Sequence, residues 1–265
     1  VKANMLVANL PEVTSMYVMP SSGDESLSIG ACLYRYHELI SDRGSSQSSL
    51  PNLYLGAEFD KTAERKVIES KVAGLPINVD EPGDIDIATA DLLSDSEIVS
   101  RCRGRMEWGA RALGNRSILC TAHDARVVDK INAAIKDRDF WMPFAPSIRE
   151  EDAHCYIDDP KDLHPYFMTF AFETKPEGYE HLVAASHPRD GTIRPNVVSS
   201  TSNSDYHKLL SRFRNKTGRG AILNTSFNLH GFPIVHSPAD AIDVFLKSGL
   251  EYLVLNHYLL HKHRE

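Results

Sequence analysis

The spacing of apolar and polar residues predicts helices and strands in alternation along the chain. Residues 205–218 (DYHKLLSRFRNKTG) repeat apolar positions at helical intervals and end on Gly218, which is typical of a helix C-terminus. In residues 237–249 (SPADAIDVFLKSG), Ser237 and the proline after it predict a helix start. The apolar runs at 220–228 and 250–262 predict strands, the second as a strand pair.

The same patterns extend over the rest of the chain. They predict helices at 27–39, 60–71, 86–95 and 124–138, and strands at 15–20, 75–80, 96–104, 117–120, 165–174 and 181–187. This alternation predicts an α/β fold with a mixed, twisted sheet. The serine-rich stretch 43–52 (RGSSQSSLPN) predicts a linker, so we divide the chain into residues 1–42, the linker 43–52 and a main domain at 53–265.

Composition, net charge and cysteine content limit the kind of protein this is and the partners it can bind. An apolar fraction of 42% and a charged fraction of 25% are ordinary for a globular chain. The net charge of -7 argues against nucleic-acid and membrane-surface partners, which usually require a basic excess. The four cysteines form no CxxC pair, so we expect reduced structural thiols in a cytoplasmic protein.

Residues 104–119 (GRMEWGARALGNRSIL) place three arginines among glycines. Arg105, Arg111 and Arg116 each offer a planar fork of donors that matches phosphate or carboxylate, and glycine lets a ligand approach the backbone closely. We interpret the stretch, with Ser117, as an anion-binding segment. The alternative is a solvated helix face whose arginines form surface ion pairs.

Residues 135–148 (IKDRDFWMPFAPSI) carry a second pair of cations, Lys136 and Arg138. Positions two apart on a helix point in different directions, so a shared ligand requires the backbone to leave the helix near Arg138. The two prolines that follow make this break plausible. Cations that favour a helix C-terminus are the alternative explanation.

Two polar stretches complete the candidate set. Residues 223–228 (LNTSFN) follow an apolar strand with short hydroxyl and amide side chains, and residues 186–195 (SHPRDGTIRP) hold His187 and Arg194 near a tight turn. Ordinary capping turns and a structural histidine would explain each stretch alone. Together with the arginines and the Lys-x-Arg, they suit a site for nucleotide and phosphate. The polar members of 223–228 are Asn224, Thr225, Ser226 and Asn228.

In this order, the four stretches resemble the C-terminal half of the O-carbamoyltransferases, a family that includes nodulation-factor, cephalosporin and aminoglycoside carbamoyltransferases. The resemblance runs from about Leu53 to the end. It implies a YrdC-like domain, in which a twisted mixed sheet and helices enclose a basic cavity. Residues 15–32 resemble the end of the family's actin-like N-terminal domain, so residues 1–42 are expected to be a strand–helix remnant of it. Since the chain begins VKANMLVANL, without Met, we expect a fragment.

The resemblance also implies a reaction. Carbamoyl phosphate and ATP would give carbamoyl-adenylate, phosphate and pyrophosphate, and the actin-like domain would pass the carbamoyl group to a hydroxyl of a small-molecule acceptor such as a nodulation factor or an antibiotic. By motif, the catalytic residues would be Lys136, Arg138 and Arg105. The residues that bind substrate or nucleotide would be Arg111, Arg116, Ser117, His187, Arg194, Asn224, Thr225, Ser226 and Asn228.

The cofactors implied are Mg²⁺ with ATP, and Fe²⁺ in the actin-like domain. Asp24 matches the family's iron-binding aspartate, whose two histidine partners would lie upstream, and a carboxylate with two imidazoles suits iron(II). A helix N-cap is the alternative role for Asp24. We also expect contact between this chain and the missing N-terminal domain. Met142 stands where the resemblance predicts an arginine.

Two other functions stay open from the sequence. One is a module that binds nucleotide or carbamoyl phosphate without catalysis. The other is a threonylcarbamoyl-adenylate synthase for tRNA modification. Pyrophosphate release that depends on carbamoyl phosphate would separate the enzyme from the module, and the actin-like remnant favours carbamoyl phosphate over threonine.

Overall fold

A computed structural model describes residues 1–40, 51–136 and 142–263. The helices are α1 (Lys2–Ala8), α2 (Glu25–Leu39), α3 (Lys61–Val72), α4 (Ile85–Ser94), α5 (Arg126–Ile131), α6 (Pro176–Tyr179), α7 (Ser204–Thr217) and α8 (Pro238–Lys247). The strands are β1 (Ile77–Asp80), β2 (Val99–Cys102), β3 (Arg116–Thr121), β4 (Ala145–Arg149), β5 (Asn196–Val198), β6 (Ala221–Ser226), β7 (Tyr252–Leu255) and β8 (Tyr258–Lys262).

The described strands form one mixed sheet in the order β1-β8-β7-β2-β3-β6-β4-β5. The β2–β7 and β4–β5 pairs are parallel, and the other neighbours are antiparallel. The prediction of an α/β fold with a mixed sheet is confirmed.

Alternating side chains of the central strands fill two cores. Leu119 of β3 packs in the cluster that holds α4 and α7 against one face of the sheet. Its neighbours Ile118 and Cys120 belong to the larger cluster on the other face, which includes α8 residues such as Phe245. Successive residues of a strand point to opposite faces, so β3 is buried on both sides and its middle residues Ile118, Leu119 and Cys120 form a continuous apolar run.

The ends of the later helices follow their sequence signals. Gly218 ends α7 in the left-handed conformation with φ 77°, and its N–H donates to the Arg214 carbonyl. At α8, the Ser237 hydroxyl accepts from the Asp240 N–H while the Asp240 carboxylate accepts from the Ser237 N–H, which makes a capping box. Both predicted helix ends are confirmed.

Three predicted strands are wrong. Residues 15–20 belong to no strand that the structure describes, although Met16 and Val18 pack against the core. Residues 165–174 form only a bridge between Phe172 and Ile193, because the left-handed backbone at Met168 (φ 59°) interrupts an extended run. Residues 181–187 contain a short 3₁₀ turn.

The N-terminal residues divide into a packed part and an exposed part. Helix α1 packs on the main body, where the Asn4 amide donates to the Thr169 carbonyl at 2.8 Å and Lys161 donates to the Ala8 carbonyl at 2.6 Å. Helix α2 has no buried residue. The predicted linker lies mainly outside the described residues, and the division at 43–52 stays a prediction.

No helix in the described ranges is long and apolar enough to cross a membrane. All four cysteines are free thiols, with Cys102 and Cys120 buried and Cys32 and Cys155 exposed.

Candidate functional site

Six of the predicted site residues line one cavity of about 480 Å³. The cavity lies where β6 ends, beside the turn that follows α5 and the segment that precedes β5. Its volume is within the range of ~300–1,000 Å³ that is usual for small-molecule sites. The six residues are Arg111, Lys136, His187, Arg194, Ser226 and Asn228.

Lys136 and the Ser-x-Asn motif form one hydrogen-bonded cluster. The buried Lys136 ammonium donates to the Asn228 Oδ1 at 2.7 Å, to the Asn228 carbonyl at 3.2 Å and to the Ser226 Oγ at 3.2 Å. The Ser226 hydroxyl also donates to the Asn228 Oδ1 at 2.7 Å. These oxygen acceptors hold the ammonium at the end of β6, where Lys136 lines the cavity.

A widened turn of helix presents Lys136. The α-helical geometry of α5 ends at Ile131, and residues Asn132–Lys136 form a π-helical turn. Such turns often occur at functional sites because they reorient a side chain locally. The predicted departure from the helix therefore begins before Arg138, which itself lies outside the described residues together with the rest of 137–141.

Arg111 extends from the connection between β2 and β3 into the cavity. In the described part of the chain its guanidinium has no hydrogen bond or ion pair. Desolvation lowers the pKa of Arg111, but an arginine remains charged at physiological pH. Arg111 is therefore a cation available for an anionic ligand.

His187 and Arg194 also line the cavity. The His187 Nδ1 accepts from the Arg189 N–H at 3.3 Å and lies 3.4 Å from the Asp190 carboxylate. Asp190 also binds Lys2 of α1 at 2.6 Å, which brings Lys2 to the cavity wall.

The described lining of the cavity is rich in positive charge. It includes Lys2, Arg111, Lys136 and Arg194, and among the described lining residues none is an aspartate or glutamate. In a partly desolvated site, such cations attract anions more strongly than they do in water. The arrangement suits a phosphoryl or carboxylate ligand.

The structure does not bring Arg105 and Arg116 to this cavity, contrary to the expectation that all three arginines of the motif meet one ligand. The exposed Arg105 donates to the carbonyls of Leu55 and Gly56, each at 3.0 Å. Arg116 is 1% exposed and donates to the carbonyls of His236 at 2.9 Å and Gly104 at 3.1 Å. Both guanidiniums therefore hold backbone segments of the protein together.

Three other predicted residues are buried beside the site and do not line it. The Ser117 hydroxyl accepts from the Gly114 N–H at 3.0 Å. The Asn224 amide donates to the Ala112 carbonyl at 3.1 Å and to the Ser147 hydroxyl at 2.9 Å. Thr225 is 6% exposed. Their assignment to substrate binding gains no support from this placement.

Glu107 organises the arginine motif, and sequence reasoning missed it. Its buried carboxylate accepts from the backbone N–H groups of Leu113, Asn115 and Arg116 at 2.7, 2.7 and 3.2 Å. The available signal was one acidic residue inside a stretch otherwise rich in arginine and glycine.

Neither expected metal has a protein site among the described residues. They contain no group of three or more histidine, cysteine, aspartate or glutamate side chains placed to hold an ion. Asp24 is exposed at the N-cap of α2, where its side chain caps no N–H group.

Comparison with known proteins identifies the family. Residues 90–262 match the family described as carbamoyltransferase C-terminus. Nodulation protein NolNO of Sinorhizobium fredii is 36% identical over 250 residues, which are 93% of this chain and 36% of that protein. The 3'-hydroxymethylcephem-O-carbamoyltransferase of Streptomyces clavuligerus is 28% identical over 237 residues, which are 89% of this chain and 42% of that protein.

The chain thus spans less than half the length of these relatives. Among solved structures, full-length HypF in its phosphate- and nucleotide-bound form is similar at a TM-score of 0.48 and 16% identity, over 67% of this chain and 25% of that one. Because the family match covers more than half of its residues, the chain belongs to the carbamoyltransferase family, whose C-terminal region it contains.

Proposed function

We propose that this region binds carbamoyl phosphate and ATP in the cavity and forms carbamoyl-adenylate. One observation carries the proposal: the buried Lys136 ammonium, oriented by Ser226 and Asn228, lines the same cavity as Arg111 and Arg194. Membership of the carbamoyltransferase family supports carbamoyl phosphate as the carbamoyl donor.

The proposed reaction has two steps. Water attacks the phosphorus of carbamoyl phosphate and the bond from that phosphorus to the bridging oxygen breaks, which gives carbamate and phosphate. A carbamate oxygen then attacks the α-phosphorus of ATP, and the bond from that phosphorus to the bridging oxygen of pyrophosphate breaks. Negative charge accumulates on the oxygens around the α-phosphorus, and a preorganised cation there stabilises the transition state.

We assign the residues to this chemistry by their positions. Lys136 stabilises the α-phosphoryl oxygens, and Ser226 and Asn228 fix the direction of its ammonium. Arg111 and Arg194, which line the same cavity, hold the phosphate and pyrophosphate groups bidentately. Arg138 would add a further cation by its motif.

The described lining residues offer Mg²⁺ no carboxylate ligand. Mg²⁺ would therefore enter with ATP, bound by phosphate oxygens and water, as this ion commonly is. The single carboxylate of Asp24 does not make an iron site, so we derive no iron-dependent step for these residues.

In the longer protein, we propose that the activated carbamoyl group passes to a hydroxyl of a small-molecule acceptor. The name of one relative, a 3'-hydroxymethylcephem-O-carbamoyltransferase, supports such an acceptor. The exposed apolar side chains of α2, among them Leu27, Tyr34 and Leu39, support contact with a further part of the protein.

The test is pyrophosphate release by this chain with ATP, Mg²⁺ and carbamoyl phosphate. We expect release with all three present and none when carbamoyl phosphate is omitted. ATP binding without turnover would instead indicate the non-catalytic module, and release that needs threonine and bicarbonate would indicate threonylcarbamoyl-adenylate synthesis.

Lys136→Met tests the central residue, because methionine keeps much of the side-chain volume and removes the charge. We expect the rate of pyrophosphate release to fall by about 10²–10³-fold, as when one preorganised donor to a developing charge is lost. Lys130→Met is the matched control, since Lys130 lies exposed on α5. Equal rates in both variants, each shown to be folded by circular dichroism, would refute the role of Lys136.

A further inference from the structure

The Arg111 loop, residues 109–115, is folded around one buried carboxylate. Glu107 is 5% exposed, and its Oε1 accepts all three backbone N–H bonds, from Leu113, Asn115 and Arg116. Hydrogen bonds to an ionised acceptor are roughly twice as strong as neutral ones. The carboxylate therefore binds the loop tightly.

Other side chains hold the same loop from different directions. The Asn224 amide donates to the carbonyl of Ala112, and the Tyr54 hydroxyl donates to the carbonyl of Leu113 at 2.8 Å. The fully buried Arg101 donates to the carbonyl of Gly114. The three residues directly after Arg111 are thus fixed by side chains from three separate parts of the chain.

The Arg111 side chain itself is held by none of these groups. Its guanidinium lines the cavity, and within the described ranges it has no hydrogen-bond or ion-pair partner. The backbone of the loop therefore determines where this side chain starts and which part of the cavity it can reach. Preorganisation of this kind increases affinity because less freedom is lost when the ligand binds.

We propose that Glu107 is a positioning residue, which fixes the backbone of the Arg111 loop so that the guanidinium meets a phosphoryl group of the ligand. The inference rests on the proposed function, in which Arg111 binds phosphate or pyrophosphate. Glu107 acts through Arg111 and contacts no ligand.

A double-mutant cycle tests this, with inorganic pyrophosphate as the probe and calorimetry as the measurement. Arg111→Met should weaken pyrophosphate binding by about 10–100-fold, the cost of losing charge-assisted hydrogen bonds. Glu107→Gln should weaken it by about 3–10-fold, because a neutral amide oxygen binds the three N–H groups less strongly. In the Arg111→Met background, Glu107→Gln should add less than about twofold.

Asp152→Asn is the control for a purely structural effect. Asp152 is also buried, and its hydrogen bonds and ion pairs are with Arg149, at 2.6 Å, and Arg214, which lie outside the Arg111 loop. It should lower the melting temperature and leave pyrophosphate affinity unchanged. If Glu107→Gln also lowered the melting temperature and left pyrophosphate affinity unchanged, the inference would be overturned. It would also be overturned if Glu107→Gln weakened pyrophosphate binding equally in the wild type and in the Arg111→Met background.

The two proposals fail in different ways. A wild-type chain that binds pyrophosphate but releases none from ATP contradicts carbamoyl-adenylate formation, while the cycle still supports or overturns the role of Glu107. Absence of pyrophosphate binding by the wild type overturns both. If Glu107→Gln does not fold, hydrogen exchange in the wild type decides: slow exchange of the Leu113 and Asn115 amides supports the inference, and fast exchange overturns it.

Discussion

At the scale of single residues, the contacts of each arginine show which of them hold protein backbone and which of them lines the cavity. The guanidiniums of Arg105 and Arg116 donate hydrogen bonds to backbone carbonyls, whereas Arg111 lines the cavity. All three have the same chemistry and similar glycine neighbours, so the sequence alone could not distinguish them. The backbone of the loop that carries Arg111 is held by the nearby Glu107 and the distant Asn224, and local apolar patterns reveal neither contact.

The grouping of Lys136 with Ser226 and Asn228 was predictable to a greater extent. The two motifs are about ninety residues apart, yet the structure brings the lysine to both side chains. The resemblance to O-carbamoyltransferases named this pair as a nucleotide pocket. The physical reason for the contact, a π-helical turn that aims Lys136 at the end of β6, was not readable from apolar spacing.

Glu64, which lies outside the candidate site, gives a prediction about how the stability of the protein depends on pH. It is 1% exposed on α3, and burial raises its pKa to about 7, although hydrogen bonding by Asn256 and the charge of Arg116 oppose this. The folded state therefore binds a proton that the unfolded chain, with an ordinary glutamate pKa of about 4.3, has already lost. Stability from this group is present at low pH and is lost as pH rises through about 7.

Glu64→Gln removes this dependence. Relative to the wild type, its free energy of unfolding should increase by the order of 1–3 kcal/mol between pH 5 and pH 8 in urea titrations. Glu69→Gln, which alters an exposed glutamate of the same helix, should show no such change. A pH-independent difference between Glu64→Gln and the wild type would mean that Glu64 is ionised throughout this range.

At the scale of elements, capping signals and strong periodicity were reliable guides. Helices α7 and α8 begin and end within two residues of their predicted limits, because Gly218 and Ser237 occupy cap positions that few other residues satisfy. Strand β4 was not predicted, since Pro146 lies within it and proline is unusual inside a sheet.

The strand predicted at residues 165–174 failed for a different reason. Residues 165–174 are rich in aromatic and apolar residues, which favour strands, but they fill the core from an irregular segment. Positive φ angles at His164 and Met168 bend this segment. Burial alone explains its apolar composition, and local patterns do not separate buried loops from buried strands.

The cap of α7 gives a prediction at this scale. Gly218→Ala should lower the free energy of unfolding by about 1–2 kcal/mol, because φ 77° is costly for a residue with a Cβ. Gly83→Ala is the control, since Gly83 has no positive φ and a Cβ there would meet open space. Chemical denaturation of both variants measures the difference, and equal stabilities would show that α7 ends without strain in either.

At the scale of the whole molecule, the sheet brings together site residues from distant parts of the sequence. The end of β6 supplies Ser226, the connection between β2 and β3 supplies Arg111, and the segment before β5 supplies Arg194. The mixed α/β class was predictable from the order of elements. The strand order was not, because it depends on which non-adjacent strands pair.

Helix α1 adds to this arrangement, since Lys2 reaches the cavity wall through Asp190. This contact joins the N-terminal residues to the segment that carries His187 and Arg194. No local pattern predicts this contact, because an ion pair between residues so far apart is determined by the fold.

Isotope exchange between pyrophosphate and ATP tests the central claim most directly, because it reports the reversible formation of the adenylate without an acceptor. Labelled pyrophosphate should enter ATP when the chain, Mg²⁺ and carbamoyl phosphate are present, and Lys136→Met should abolish the exchange. Exchange that is absent under these conditions, or that proceeds equally without carbamoyl phosphate, would contradict the account.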